Sequence, residues 1–188
     1  FAGSSSGTLL AAALKFCREQ KTPKRVVSLV CDSGAKYLSK VFNDAFLAQE
    51  GWSDRERFGT VRDVVINRFN EGSAITVSPE DNLRTAFARM RAADVSQLPV
   101  LEGERVVGLV DESDILAALL TAADGSATFS TPVRDVMVSR LETLSADAAI
   151  ADLVPLFRND HVAIVMDKDR FLGIATRMDL INYFRVQR

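Results

Sequence analysis

The sequence predicts an α/β protein in which two β-α-β-β-α units follow a shorter α-β-α segment. Two observations carry this expectation. The chain repeats itself: Val61-Arg62-Asp63-Val64 recurs as Val133-Arg134-Asp135-Val136, and Glu104-Arg105-Val106-Val107-Gly108-Leu109 recurs as Asp169-Arg170-Phe171-Leu172-Gly173-Ile174. The first pair lies 72 residues apart and the second 65, so the second copy is shorter between these anchors, a difference that loops absorb. Within each copy, stretches with apolar residues at helical spacing alternate with short β-branched runs.

Residues 1–52 read as helix, strand, helix. Gly3-Ser4-Ser5-Ser6-Gly7-Thr8 is a small polar opening, and Leu9 to Gln20 then places Leu9, Leu10, Ala13, Leu14 and Cys17 on one helical face. Val26-Val27-Ser28-Leu29-Val30 has the form of a strand buried on both faces. After the Asp32-Ser33-Gly34 turn, Tyr37 to Gln49 returns to helical spacing and stops at Gly51. Such a short unit cannot cover both faces of its strand, which predicts the edge of a larger α/β domain. Residues 53–59 are a polar linker.

The first copy, 60–121, begins with a short helix at Val61. A strand at Ile75-Thr76-Val77 and a helix over Glu80 to Ala92 follow, with Leu83, Phe87 and Met90 on one face. A hairpin of Gln97 to Leu101 and Arg105 to Val110 then leads into a helix from about Glu112. Residues 122–132 are a spacer. In the second copy, 133–188, the matching elements are Glu142 to Leu144, Asp147 to Phe157, Val162 to Met166, Phe171 to Ala175 and a helix from Arg177.

Composition narrows the function classes. The net charge of −2, with 47% hydrophobic and 26% charged residues, is that of a folded soluble protein and argues against a general nucleic-acid or anionic-membrane binder. No apolar run is long enough to span a bilayer. Two cysteines without a CxxC motif point to a reducing, cytoplasmic setting. A single histidine argues against a His-rich metal site or a Ser-His-Asp triad, and we expect no metal and no catalytic residue in this chain. The chain opens on Phe1 with no basic, apolar and small leader pattern, and it reads as a piece of a longer protein.

The strongest motif is Gly173-Ile174-Ala175-Thr176-Arg177-Met178-Asp179, where a strand gives way to a helix. Free backbone N–H groups and the helix dipole meet a ligand at such a junction. Gly173 permits close approach, Thr176 offers a hydroxyl at the N-cap, and Asp179 can accept from two vicinal hydroxyls such as those of a ribose. Thr-x-x-Asp is also a capping-box variant that needs no ligand, and both readings stay open. The first copy has Gly108-Leu109-Val110-Asp111-Glu112-Ser113-Asp114. It keeps Asp114 as a weak second site, but Asp111 replaces the threonine and would repel a phosphate, which favours one working site.

This repeat pair, closing on Gly-hydrophobic-x-Thr-x-x-Asp, resembles the tandem CBS-domain (Bateman) regulatory modules along residues 60–188. The resemblance implies an adenosyl ligand held between the copies, with S-adenosylmethionine favoured and AMP or ATP as the alternative. It implies a site of Ser73, Ala74, Ile75, Val95, Ser96, Gln97 and Leu98 from the first copy, and Ile174, Thr176, Met178 and Asp179 from the second. Val95 stands where animal relatives carry an aromatic residue that stacks on adenine.

Residues 1–52 resemble the end of a fold-type II pyridoxal-phosphate domain, through Gly3-Ser4-Ser5-Ser6-Gly7-Thr8 and Cys31-Asp32-Ser33-Gly34-Ala35-Lys36-Tyr37. In that family the serine at the position of Ser4 hydrogen-bonds the cofactor's pyridine nitrogen. A fold-type II tail before a CBS pair is the layout of the cystathionine β-synthase family, whose members are pyridoxal-phosphate lyases that condense serine with homocysteine. The resemblance implies that residues 60–188 control a catalytic domain. The chain alone, without a recognisable Schiff-base lysine or phosphate loop, would be inactive. A ligand-free dimerisation module is a further reading, and a homodimer or higher homo-oligomer is expected. The remaining candidates read as structural: His161 as a surface group, Cys17 and Cys31 as packing, Arg84, Arg89 and Arg91 as a solvated helix face. Phe157, Phe171 and Phe184 read as core, and Met137 and Met166 as packing or dimer contacts.

Overall fold

A computed structural model describes residues 1–52, 55–121, 128–158 and 161–187, and the main chain alone of Thr121. Residues 53–54 of the expected linker and 122–127 of the expected spacer lie outside it. The chain divides into two compact units, Phe1–Arg55 and Glu56–Arg188.

In the first unit, helix α1 spans Ser4–Glu19 and α2 spans Asp44–Gln49. The Asp32-Ser33-Gly34 turn is fastened to the start of α1. The Gly3 N–H donates to the Asp32 carbonyl at 2.9 Å, the Cys31 N–H to Ser6 Oγ at 3.0 Å, and the Tyr37 hydroxyl to Asp32 Oδ2 at 3.0 Å. A side chain at Gly3 would run into the Asp32 carboxylate and the Tyr37 ring, so this close approach requires glycine. Hydrogen bonding to Asp32 raises the Tyr37 phenol above its ordinary pKa.

Several sequence expectations are corrected in this unit. Helix α1 starts at Ser4, so the polar opening is helical. Tyr37 to Gln49 is not one helix: a 3-10 turn ends at Tyr37, and α2 begins only after Asn43, whose side chain accepts from the Ala45 and Phe46 N–H groups. Val26–Val30 forms no strand, and Val27 and Val30 are 84% and 76% exposed. A strand needs neighbours for its ladder, and among the described residues of the unit none lies beside it. Leu9, Leu10 and Leu14 face solvent, as do Cys17 and Cys31, which are free thiols on the surface rather than packing groups.

The second unit carries helices α3 (Leu83–Ala93), α4 (Glu112–Thr121), α5 (Leu153–Arg158) and α6 (Arg177–Val186). Its strands are β1 (Gln97–Glu102), β2 (Arg105–Asp111), β3 (Thr143–Ser145), β4 (Ala163–Asp167) and β5 (Arg170–Ala175). β1 and β2 form an antiparallel hairpin with a bulge at Val100/Leu101. β4 and β5 repeat it with a bulge at Val165/Met166, and β3 joins β4 in parallel. The counterpart of β3 in the first copy shrinks to one parallel bridge, Val77 to Val100, so Ile75-Thr76-Val77 is not a full strand. The helix expected over Asp147 to Phe157 is split into a 3-10 turn at Ile150–Asp152 and α5. α3 begins at Leu83, three residues after the expected Glu80, where the Asn82 side chain accepts from the Thr85 N–H at 2.9 Å.

The two copies are interlocked. Val61, Val64 and Val65, from the start of the first copy, sit in one core with Ala146, Leu153, Phe157, Val165 and Leu172 of the second. Val133, from the start of the second, sits in the other core with Val77, Leu83, Met90, Leu98 and Val110 of the first. The backbone bonds are equivalent: Val61 N–H to Ala148 O and Arg62 N–H to Ala146 O on one side, Val133 N–H to Asp81 O and Arg134 N–H to Pro79 O on the other. A third cluster, Leu101, Ile164 and Phe171, joins the two hairpins. Phe157 and Phe171 are therefore core, whereas Phe184 is 56% exposed on α6 and departs from expectation.

Ionic contacts reinforce the exchange. Arg62 donates to Asp167 Oδ2 at 2.9 Å and to Asp147 Oδ1 at 3.2 Å, and Arg134 pairs with Glu80 in the equivalent place. Arg62 holds the Asp167 carboxyl below its usual range. That stabilisation is fully present above the ordinary aspartate pKa and is lost as pH falls through the lowered folded value. Arg62→Ala should cost about 1 kcal/mol at pH 7, discounted for the partial exposure of Asp167, or about 3–4 °C in melting temperature. In melts of the two proteins, the gap should narrow as pH falls below the ordinary aspartate value of about 4 and close once pH has passed the lowered folded value.

Candidate functional site

A cleft of about 610 Å³ opens in the second unit, lined by residues of both copies. The first copy supplies Ala74 and Ile75, and then Val95, Ser96 and Gln97 from the passage between α3 and β1. The second supplies Ile174 at the end of β5 and Thr176, Met178 and Asp179 at the start of α6. Nine of the eleven residues expected from the sequence thus surround one space. The other two do not line it. Leu98 is fully buried in the first copy's core, because alternation along β1 turns it away from Gln97. Ser73 is half-buried, its N–H bonded to the Arg68 carbonyl at 3.1 Å.

Thr176 N-caps α6 in a complete capping box. Its hydroxyl donates to Asp179 Oδ2 at 2.7 Å, its N–H donates to the same oxygen at 2.8 Å, and the Asp179 N–H returns a bond to Thr176 Oγ1 at 3.3 Å. The cap is therefore complete within the chain's own residues. Cap and ligand roles are compatible, since these bonds engage Oδ2 alone of the two carboxylate oxygens. Burial pushes the Asp179 carboxyl up, and the Thr176 bonds pull it partly back.

Gly173 permits a close approach of a different kind from that expected. A Cβ there would lie 2.6 Å from Val65 Cγ1 and 2.7 Å from the Asn67 carbonyl oxygen. The glycine makes room for the exchanged segment of the first copy, and Asn67 on that segment then borders the cleft.

The corresponding face of the first copy is built differently. Leu109, the counterpart of Ile174, is tied to Val138 by two backbone bonds of 2.9 and 2.8 Å. Asp111 and Asp114 cap α4 reciprocally, Asp111 N–H to Asp114 Oδ2 at 3.0 Å and Asp114 N–H to Asp111 Oδ1 at 2.8 Å. Burial and the neighbouring Asp111 charge raise the Asp114 carboxyl. Asp111 thus substitutes for threonine as a cap while filling the site with negative charge.

The cleft includes residues the sequence did not single out as a site: Asn67, Asp94, Pro99, His161, Val162, Phe171 and Arg177. Asn67 lies on a segment longer in the first copy than in the second, which pattern reading treats as loop. Asp94 had one signal, a non-glycine residue where a helix gives way to a strand. His161, expected at the surface, is exposed on the cleft wall ahead of β4. Among the described residues no three His, Cys, Asp or Glu side chains are grouped to hold a metal, and no helix is long and apolar enough to cross a membrane.

A family model of the CBS domain matches residues 61–121 and 133–186. Cystathionine beta-synthase of Dictyostelium discoideum is 26% identical over 196 aligned residues, covering 96% of this chain and 38% of that protein. The Oryctolagus cuniculus enzyme of the same name is 23% identical, covering 96% of this chain and 36% of that protein. The chain thus spans under two fifths of the length of these relatives. Among solved structures, CBSX2 in complex with AMP is 22% identical with a TM-score of 0.58, covering 70% of this chain and all of that one.

Proposed function

The chain belongs to the CBS-domain family, and from that premise we propose that its repeat pair is the regulatory region of a cystathionine β-synthase-like enzyme, binding one adenosyl ligand in the cleft. The observation that carries this reading is the convergence of two copies on one space. A half-buried carboxylate, Asp179, stands there at a helix N-terminus, with apolar Ile75, Val95, Ile174 and Met178 beside it. In this reading Asp179 accepts from the ribose hydroxyls, its free oxygen adding to the bonds of the capping box. The apolar residues enclose the adenine. Ligand at the junction biases how the copies pack, and the 53–59 segment passes that bias to a catalytic domain. The Leu109–Val138 tie and the Asp111 carboxylate support one ligand per chain.

S-adenosylmethionine is the favoured ligand, because alignment with cystathionine beta-synthases runs along nearly the whole chain, the first unit included. AMP or ATP is the alternative, suggested by the AMP-bound CBSX2 neighbour. The first unit fits the closing piece of a pyridoxal-phosphate domain: among the described residues Val26–Val30 has no strand neighbours, and Ser4 opens α1 with its side chain exposed. When bound, the cofactor would supply an electron sink for β-replacement of serine, and Ser4 would hold its pyridine nitrogen. Met178, Ile181 and Phe184 on α6, with Leu116 and Leu120 on α4, are exposed apolar positions where a second copy would pack.

The test is calorimetric titration of S-adenosylmethionine, AMP and ATP into this chain, with emission of Trp52, its single tryptophan, followed in parallel. One saturable site per chain for S-adenosylmethionine supports the proposal. Tighter AMP or ATP binding transfers it to the energy-sensing alternative, and silence with all three leaves a ligand-free packing module.

A further inference from the structure

This inference rests on the adenosyl reading above and concerns which adenosyl compounds the cleft accepts. We propose that Asp94 sets the cleft's charge preference, favouring a ligand with a positive charge beside its nucleoside and disfavouring phosphorylated nucleotides.

Asp94 ends α3 in the left-handed region, φ 55° and ψ 48°, with its N–H bonded to the Met90 carbonyl. Glycine or asparagine meets that backbone requirement at lower cost, so the fold itself does not call for a carboxylate there. The side chain is exposed, borders the cleft, and has no hydrogen-bond or ion-pair partner among the described residues. It also stands at the C-terminus of α3, whose dipole adds to the negative potential that a ligand meets there.

The other carboxylate of the cleft, Asp179, already has one oxygen engaged by Thr176. Asp94 is thus the uncommitted negative group. Positive character lies elsewhere in the same space, at the N-terminus of α6 and at Arg177. A ligand with separated charges can place its cation toward Asp94 and its anion toward α6. A phosphate directed at Asp94 meets a like charge instead.

The experiment compares the wild-type chain with Asp94→Asn, a substitution that suits the left-handed backbone. Three compounds are titrated: S-adenosylmethionine, AMP and neutral 5′-methylthioadenosine. In the variant, S-adenosylmethionine should weaken about three- to tenfold and AMP should tighten by a similar factor, with methylthioadenosine nearly unchanged. Both differences should shrink in about 0.5 M salt. An unchanged ratio of S-adenosylmethionine to AMP affinity overturns the inference while leaving the cleft reading intact. Equal weakening of all three compounds shows a structural role and overturns it as well. If none binds the wild-type chain, the cleft reading fails and the inference falls with it.

Discussion

Replacing Gly173 by alanine should be among the most destabilising single substitutions in the second unit, costing about 2–3 kcal/mol, or roughly 6–12 °C in melting temperature. The new methyl would meet Val65 Cγ1 at 2.6 Å and the Asn67 carbonyl oxygen at 2.7 Å. Val65 is fully buried among the residues of the second copy's core, so it has nowhere to retreat. Asn67 contributes a backbone atom, which moves only if the exchanged segment moves. Gly108 is the repeat counterpart and supplies the control. A Cβ there meets Met137, whose flexible side chain can swing aside, so Gly108→Ala should cost about 1 kcal/mol or less. Thermal melts of the two variants measure the difference directly. Equal melting temperatures would show that the exchanged segment is not held against β5 as the structure has it.

This contrast shows which parts of the molecule could be read from sequence. The repeat placed both hairpins within a residue or two, because alternation and the Gly-hydrophobic junction are local signals. The capping box was legible for the same reason, Thr176 and Asp179 being three residues apart. The exchange of segments was not. Val61 and Val133 carry identical local patterns, and nothing in their neighbours says that each completes the other copy's core.

Burial depended on context in the same way. Val26–Val30 has the composition of an interior strand, yet composition records what a segment can bury and not whether a neighbour is present to bury it. Cys17 and Phe184 fall under the same rule. In the cleft, the expected residues are those adjoining motifs. Asn67 and Asp94 enter through tertiary placement, one on a longer connection and the other on a left-handed helix end.

Asp179→Asn should weaken binding of the adenosyl ligand at least about tenfold while leaving the fold intact, because the two roles of this side chain use its atoms differently. Asparagine keeps an acceptor oxygen for the Thr176 hydroxyl and N–H, so the cap survives. It loses the charge that makes hydrogen bonds from vicinal hydroxyls worth about 1.5–3 kcal/mol. The pH dependence gives an independent check. Burial raises the Asp179 pKa in the folded chain, so the folded state binds this proton more tightly than the unfolded state does. Stability from this group is therefore greatest in acid, and it declines as pH rises from the ordinary aspartate value through the raised one. Binding runs the other way. Hydroxyl donors favour the anion, so wild-type affinity should fall as pH drops through the raised pKa, while the Asp179→Asn variant shows no such step. At neutral pH this partly desolvated charge is already a cost, and its removal should leave the melting temperature equal or higher. A variant that melts well below wild type at pH 7 would mean that Asp179 is chiefly a structural cap, and the ligand role assigned to it would have to be withdrawn.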